Sequence, residues 1–146
     1  MSGGVDSTAC ALLLKETCQV EGFFMHLAQP NYAAHEERVQ TIAARLGIPL
    51  HVIDLRQPFS DKVLDYFSGS YFRGLTPNPC VICNREIKFG LFMDAMTTAG
   101  MTAMATGHYA RIIQDDKIHR LFKGFDQRKD QSYFLSRLGQ EQLRRL

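Results

Sequence analysis

The sequence predicts an α/β fold organised around a doubly wound parallel sheet. Three observations carry that prediction. Short apolar runs of strand length alternate with longer segments whose apolar residues recur at helical spacing. Glycine and proline fall at the ends of the helical segments. The chain also opens with Met1-Ser2-Gly3-Gly4-Val5-Asp6-Ser7-Thr8, a glycine pair between hydroxyl residues that runs directly into the apolar stretch Ala9 to Leu14. That is the layout of a loop opening onto a helix N-terminus.

The elements follow in order. A first helix is expected from about Asp6 to Glu16. Gln19 to Leu27 reads as a buried strand, broken by Gln29-Pro30-Asn31. Val39, Ile42, Ala43 and Leu46 share one helical face, with Gly47 as a stop and Pro49 beyond it. Leu50 to Leu55 is a second strand, and Phe59, Val63, Tyr66 and Phe67 mark a third helix. A loop rich in turn residues, Gly74 to Cys80, precedes a fourth helix carrying Phe89, Phe92, Met93 and Met96 and closed by Gly100. Thr102 to Thr106 is expected as a third strand ending in Gly107-His108-Tyr109. Ile112 and Ile113, a turn at Asp115-Asp116 and Ile118 to Phe122 form a hairpin. Helix is expected again from about Ser132. In such sheets ligands sit at the carboxyl ends of strands near the switch point. The glycine loop, Met25–Leu27 and Thr106–Tyr109 all fall on that edge.

With 146 residues the chain is long enough for one α/β domain with a substantial core. No apolar run approaches the length of a membrane span, and no basic flank precedes Ala9–Leu14 as a signal peptide would require. Four cysteines do not make a disulfide framework, and the expected location is the cytoplasm, with no membrane partner. Charge is split along the chain. Residues 1–108 carry 8 Lys and Arg against 10 Asp and Glu, and residues 109–146 carry 9 against 5. The basic second part is compatible with a nucleic-acid partner and equally with an ordinary solvated surface.

The glycine loop suits a phosphate. Gly3 and Gly4 permit backbone conformations and close approach denied to other residues. The first amides of a helix have no internal partners and the helix dipole favours negative charge there. Ser2, Ser7 and Thr8 add hydroxyls. No lysine follows the glycines, so this is not the GxxxxGK[ST] loop. A serine-capped helix after a glycine turn is the plain structural alternative.

The second motif is Asn78-Pro79-Cys80-Val81-Ile82-Cys83-Asn84, two thiols three residues apart just before a helix. A helix N-terminus favours thiolate, and Arg85 and Lys88 would add to the effect. By spacing alone the pair could be half a zinc site, a redox pair, two cluster ligands or inert thiols.

SGGVDST, TPNPCVICNREIKF (Thr76–Phe89), ATGHYAR (Ala105–Arg111) and KDQSYFL (Lys129–Leu135) occur in that order. The loop resembles the SGGxDS loop of the PP-loop ATP pyrophosphatases, and the four motifs together resemble the tRNA-specific 2-thiouridylase family. The likeness spans nearly the whole chain but only the N-terminal part of a family member. It implies one PP-loop ATP-binding domain over residues 1–146, cut at both ends. The central strand would precede the loop, and a middle domain and a β-barrel domain would follow.

The resemblance implies an ATP-dependent sulfurtransferase making 2-thiouridine at the tRNA wobble position, with ATP and magnesium as cofactors and a persulfide-carrying protein as sulfur donor. Met1, Ser2, Gly3, Gly4, Val5, Asp6 and Ser7 would hold ATP. Asp6 would serve the pyrophosphate–magnesium group, Met25 would meet the adenine, and Gly107 would pack against the nucleotide. Asn78, Pro79 and Cys80 match a segment touching the target base, Cys83 matches the first catalytic cysteine, and Lys129, Asp130 and Gln131 match a tRNA-contacting segment.

Two departures stand out. The family's second catalytic cysteine lies downstream of this chain, and many members carry Asp at the position of Cys80. Cys80 and Cys83 could instead be ligands of an iron–sulfur cluster, given a third ligand. Another PP-loop adenylating ligase, or a non-catalytic metal-binding fragment, are the competing functions. NPCVICN and KDQSYFL argue against the ligase.

Among the remaining residues, His26 and His51 read as structural. His108 reads equally as a phosphate contact or a structural histidine. Tyr66, Phe67, Tyr71 and Phe72 read as core, and Cys10 and Cys18 as packing thiols.

Overall fold

A computed structural model describes residues Met1–Leu146. The chain forms two compact units, Met1–Arg56 with Ala105–Gly107, and Gln57–Met104 with His108–Leu146.

The first unit contains α1 (Val5–Leu14), β1 (Gly22–His26), α2 (Tyr32–Leu46) and β2 (Leu50–Asp54). β1 and β2 pair in parallel, from Gly22 opposite Leu50 to His26 opposite Asp54. Parallel strands need a crossover, and α2 supplies it. Val39 and Ala43 form its buried stripe. Gly47, at φ 62°, ends it in the left-handed conformation that glycine takes without penalty. Ala11, Ala43 and Ile48 form the core of this unit with Met1, Val20, Leu46 and Leu50 packed against them. β1 is buried over Gly22–Phe24.

The second unit begins with α3 (Arg56–Phe59), a π-helical turn (Ser60–Leu64) and α4 (Asp65–Phe72). A second long helical stretch follows: α5 (Pro79–Ile82), a π-helical segment (Cys83–Leu91) and α6 (Phe92–Thr98). Ile87, Phe89, Phe92, Met93 and Met96 on it are buried. The antiparallel hairpin β3 (Ala110–Asp115) and β4 (Ile118–Lys123) comes next, turning through Asp116 at φ 52°. A 3₁₀ turn (Ser132–Leu135) and α7 (Gln140–Leu143) complete the unit.

Helices and a parallel pair of strands confirm the α/β class. Three expectations are corrected. Residues 102–106 form no strand: the parallel sheet is β1–β2 alone. The amide of Met104 is taken by the carbonyl of Arg145 at 2.7 Å, and a ladder needs a neighbouring strand at that position. Of the four aromatics of α4, Tyr66 is half-buried and the other three are not core. Phe72 is 92% exposed, Tyr71 and Phe67 are also exposed, and Ser70 is the buried residue of this helix. Helical spacing identifies a face without saying what covers it. Cys18 is exposed, beyond the end of α1, its sulfur 3.6 Å from the Thr17 hydroxyl, and is not a packing thiol.

Candidate active site

The glycine loop is built mainly from main chain. Gly3 lies at φ 77°, and a Cβ there would come within 3.2 Å of the Arg38 side chain and 3.3 Å of Val39. Conformation and space both demand glycine at this position. Gly4 is the N-cap of α1, and no side chain caps the helix start. Its carbonyl accepts from the hydroxyls of Ser7 at 3.1 Å and Thr8 at 2.9 Å, which ties the loop to the helix. The hydroxyls of Ser2 and Ser7 lie 3.2 Å apart, and the Ser2 amide donates to Ser7 Oγ at the same distance. Val5 and Asp6 in the first turn are exposed.

Gly107 closes on this turn. A Cβ at Gly107 would lie 2.7 Å from Asp6 Cβ and 3.4 Å from the Ser7 amide nitrogen. The neighbouring Thr106 carbonyl accepts from Cys10 Sγ at 3.5 Å. Met1 lies against β1, its amino group donating to the Phe23 carbonyl and its sulfur over Gly22. Met25 is half-buried on β1, and its carbonyl accepts from the Gln29 side chain at 3.3 Å. The structure therefore gathers Met1–Ser7 and Gly107 around the start of α1, with Met25 near the carboxyl end of β1.

The thiol segment is built from side chains. Asn78 caps α5, its side chain accepting from the Val81 amide at 3.3 Å, and Pro79 occupies the first turn. The Asn78 amide donates to the Tyr66 hydroxyl at 3.3 Å. Cys80 is exposed and Cys83 half-buried. The expectation of a Cys83 thiolate favoured by the helix start is corrected. Burial pushes the Cys83 thiol up, Lys88 draws it partly back, and Cys80 pushes it up again. Desolvation of the charged form outweighs the nearby cation. Arg85 contributes nothing to the thiol; it is exposed and pairs with Glu86 at 3.3 Å.

Lys88 is the polar residue between buried Ile87 and Phe89. Its Nζ lies 3.3 Å from His108 Nε2. Burial holds the lysine below its ordinary value, and burial with the Lys88 charge brings His108 down to about 4.

The last two motifs lock onto this helix. Asn84, buried, donates to the Phe134 carbonyl at 3.1 Å. The Tyr109 amide donates to Gln131 Oε1 at 3.0 Å, and the Gln131 amide donates to the Tyr109 carbonyl at 2.9 Å. Asp130 turns inward, accepting from the Gly124 amide at 2.8 Å and from the Ser132 hydroxyl at 2.8 Å. Those bonds hold its carboxyl below the usual range. Lys129 is exposed, with Nζ 5.2 Å from the Tyr109 ring centre. NPCVICN, His108-Tyr109 and KDQSYFL are thus parts of one packed arrangement. Of Lys129, Asp130 and Gln131, the lysine is the exposed one.

The family described as the tRNA methyl transferase HUP domain matches residues 1–146. The chain belongs to this family. Among curated relatives, the tRNA-specific 2-thiouridylase MnmA of Desulfotalea psychrophila is 59% identical over 143 residues, covering 98% of this chain and 42% of the relative. The protein of the same name from Syntrophomonas wolfei is 53% identical over 150 residues, covering 100% and 43%. That of Carboxydothermus hydrogenoformans is 45% identical over 163 residues, covering 100% and 44%. The chain spans less than half the length of these relatives.

Within this HUP domain no group of three or more His, Cys, Asp or Glu side chains is placed to hold a metal ion. A cluster on Cys80 and Cys83 would need ligands from outside the chain. His51 is structural as expected, stacked on Phe23 at 4.6 Å and paired with Glu21 at 2.6 Å. His26 stacks on Tyr32. Sequence reading missed the Lys88–His108 contact. A glycine-histidine pair after a predicted strand gave no sign that its imidazole would meet a lysine twenty residues earlier.

Proposed function

We propose that this chain is the ATP-binding catalytic part of a tRNA sulfurtransferase that converts the wobble uridine to 2-thiouridine. The observation that carries the reading is the loop Met1–Gly4, with Gly3 in a left-handed conformation and Gly4 standing as the side-chain-free N-cap of a ten-residue helix. That is a main-chain cradle for phosphate oxygens. The names of the relatives supply the substrate class.

The chemistry suits the two sites. A uracil C2 carbonyl resists substitution because its oxygen leaves poorly. Attack of that oxygen on the α-phosphorus of ATP forms an O–P bond and releases pyrophosphate. The Cys83 thiolate would attack the inner sulfur of the donor persulfide, forming a disulfide and releasing hydrosulfide. The hydrosulfide adds to C2 and loses its proton to solvent, the C2–O bond breaks, and AMP departs with the oxygen. Met1–Ser7 would hold the nucleotide, Met25 would border the adenine, and Gly107 would keep the segment against α1. Asp6, exposed in the first turn, fits a magnesium ion held by one carboxylate plus phosphates; the ion would offset the developing phosphate charge.

Cys83 is the thiol we assign to sulfur handling, with Cys80 as its exposed neighbour. Asn78, Pro79 and Cys80 at the start of α5, with Lys129, Asp130 and Gln131, would form the tRNA contact. Lys129 would supply the phosphate-facing charge, and Asp130 and Gln131 would fix the shape of the loop. A persulfide-carrying protein would deliver the sulfur, in the cytoplasm. No helix is long and apolar enough to cross a membrane. The single PP-loop domain of 1–146 would continue into further domains. Its parallel pair would belong to a larger doubly wound sheet with a strand ahead of the loop, a view supported by exposed Val5, Leu12 and Leu13 on α1 and Val52 on β2. The cluster reading has weaker support, because Cys80 and Cys83 find no third ligand here.

Two measurements test the proposal. Calorimetry should show ATP with magnesium binding the wild-type protein and not Gly4→Asp. Nucleoside mass spectrometry of tRNA incubated with full-length protein, ATP, magnesium and a persulfide donor should show 2-thiouridine that disappears in Cys83→Ser. Equal ATP affinity in the first experiment, or full thiolation by Cys83→Ser in the second, would sink the corresponding assignment.

A further inference from the structure

We propose that Lys88 and His108 form a positioning pair for Cys83: the Lys88 ammonium is the counter-charge to the Cys83 thiolate, and the His108 imidazole aims that ammonium. The inference rests on the reading of Cys83 as the sulfur-handling residue.

The winding of the helix places the pair. In an α-helix a residue five positions on lies well round the cylinder from the first, since 3.6 residues make a turn. Residues Cys83–Leu91 are π-helical, and i→i+5 bonding brings residue i+5 beneath residue i. Lys88 is five residues from Cys83, so this local winding brings the two residues toward one face of the helix. Gly90 ends the regular winding, at φ −103° and ψ −108°, and a Cβ there would meet the Arg85 carbonyl at 3.0 Å. Gln142 steadies the same stretch from α7, donating to the carbonyls of Phe89 at 2.7 Å and Arg85 at 3.3 Å.

Charge and burial assign the roles. A largely desolvated ammonium needs partners. Glu86 is occupied by Arg85 at 3.3 Å and Lys62 at 3.9 Å. The hydrogen-bond partner of Lys88 is His108 Nε2 at 3.3 Å, and the charges of Cys83 and Cys80 act on its ammonium through space. His108 stays neutral at pH 7 because burial and the lysine charge disfavour its protonation. Its Nε2 therefore accepts from the ammonium while Nδ1 carries the proton. In the same unit Tyr66 accepts from the Asn78 amide, and Arg144, just after α7, pairs with Glu141. Cys80 is the like-charged neighbour that opposes ionisation of Cys83. When Cys83 ionises, its S–H bond breaks, the proton leaves to solvent and the electron pair stays on sulfur. Lys88 keeps its own protons and balances the new charge.

The test reads Cys83 directly. The full chain is labelled with iodoacetamide across a pH series, and the Cys83 and Cys18 peptides are followed by mass spectrometry. Lys88→Met should raise the midpoint of Cys83 labelling by a unit or more, slowing it about tenfold near neutral pH, with Cys18 unchanged. Lys88→Arg should stay near wild type. His108→Gln, which still accepts through Oε1, should do the same, and His108→Leu should shift the midpoint upward by less than Lys88→Met. An unchanged midpoint in Lys88→Met, or equal shifts for the Met and Arg variants, overturns the proposal. Should Lys88→Met not fold, as circular dichroism would show, an unchanged midpoint in His108→Leu does so instead. The readout uses neither ATP nor tRNA, so thiolation by Cys83→Ser judges the functional reading separately.

Discussion

The glycine loop and the thiol segment both sit at the start of a helix, yet they are built from different materials. The loop offers amides and small hydroxyls at an exposed surface, and its shape depends on a left-handed Gly3 and on space left by absent side chains. The thiol segment offers Cys83, Lys88 and His108, each half-buried and each shifted by the others or by burial. A site made of main chain should fail when volume or charge is added. A site made of buried side chains should fail when charge is removed, and should respond to pH.

The largest effect expected on the loop comes from Gly4→Asp. The backbone at Gly4, φ −86° and ψ 164°, accepts any residue, and a Cβ there meets nothing closer than Ser2 Oγ at 3.4 Å. The variant should fold, while its carboxylate occupies and repels the phosphate position. ATP affinity should fall by about a hundredfold or more, ~3 kcal/mol, whereas Gly4→Ala should lose far less. Equal losses for the two, measured by calorimetry, would show that the loop is not a charge-sensitive cradle.

Gly107→Ala separates packing from chemistry in the same unit. Its new methyl would sit 2.7 Å from Asp6 Cβ, a contact that must be relieved by movement. Overpacking of this kind costs about 1–3 kcal/mol. Chemical denaturation should register that loss, and ATP binding should weaken with it. Unaltered stability would mean that residues 105–107 are free to move away from α1.

In the thiol unit, Asn84→Ala removes the donor to the Phe134 carbonyl. A buried acceptor left unpaired costs about 1–3 kcal/mol, so the melting temperature should drop. Hydrogen exchange should rise over Ser132–Leu135 before it rises over α6. Uniform exchange across the unit would show that Asn84 does not serve as the tie between these two motifs.

The same contrast explains what could be read from the sequence. Gly47 as a helix stop, the Asp115-Asp116 turn and the glycine loop were legible because backbone conformation is written locally in residue type. So were β1, β2 and α2, whose apolar spacing is local too. Residues 102–106 have the composition of a strand, but a strand is made by its neighbour, and none is paired there. Tyr71 and Phe72 keep helical spacing on a face left exposed. Cys83 was singled out by motif, while its ionisation was read the wrong way, because a helix start is local and burial is tertiary. The consequence is testable by alkylation at pH 7: exposed Cys18 and Cys80 should label first and Cys83 after them, the reverse of the order a dipole-activated Cys83 would give.

The smallest expected effect is the pH dependence that His108 confers on stability. Its folded-state value is about 4 against an ordinary 6.5, lowered first by burial and then by the Lys88 charge. Between those values the unfolded chain binds a proton at this residue and the folded chain does not, so protonation draws the equilibrium toward unfolding. The stability linked to His108 is therefore complete above pH 6.5, falls as pH drops toward 4, and is flat below that. The site is only partly shielded from solvent, which reduces the effect to on the order of 1 kcal/mol. Urea titrations at pH 7 and pH 4.5 should show it as the difference between wild type and His108→Gln, the variant losing less on acidification. Parallel curves for the two proteins would mean that His108 takes up its proton as readily in the folded chain as in the unfolded one. The ammonium of Lys88 would then have lost its acceptor, and the thiol unit would no longer differ from the loop in being governed by charge.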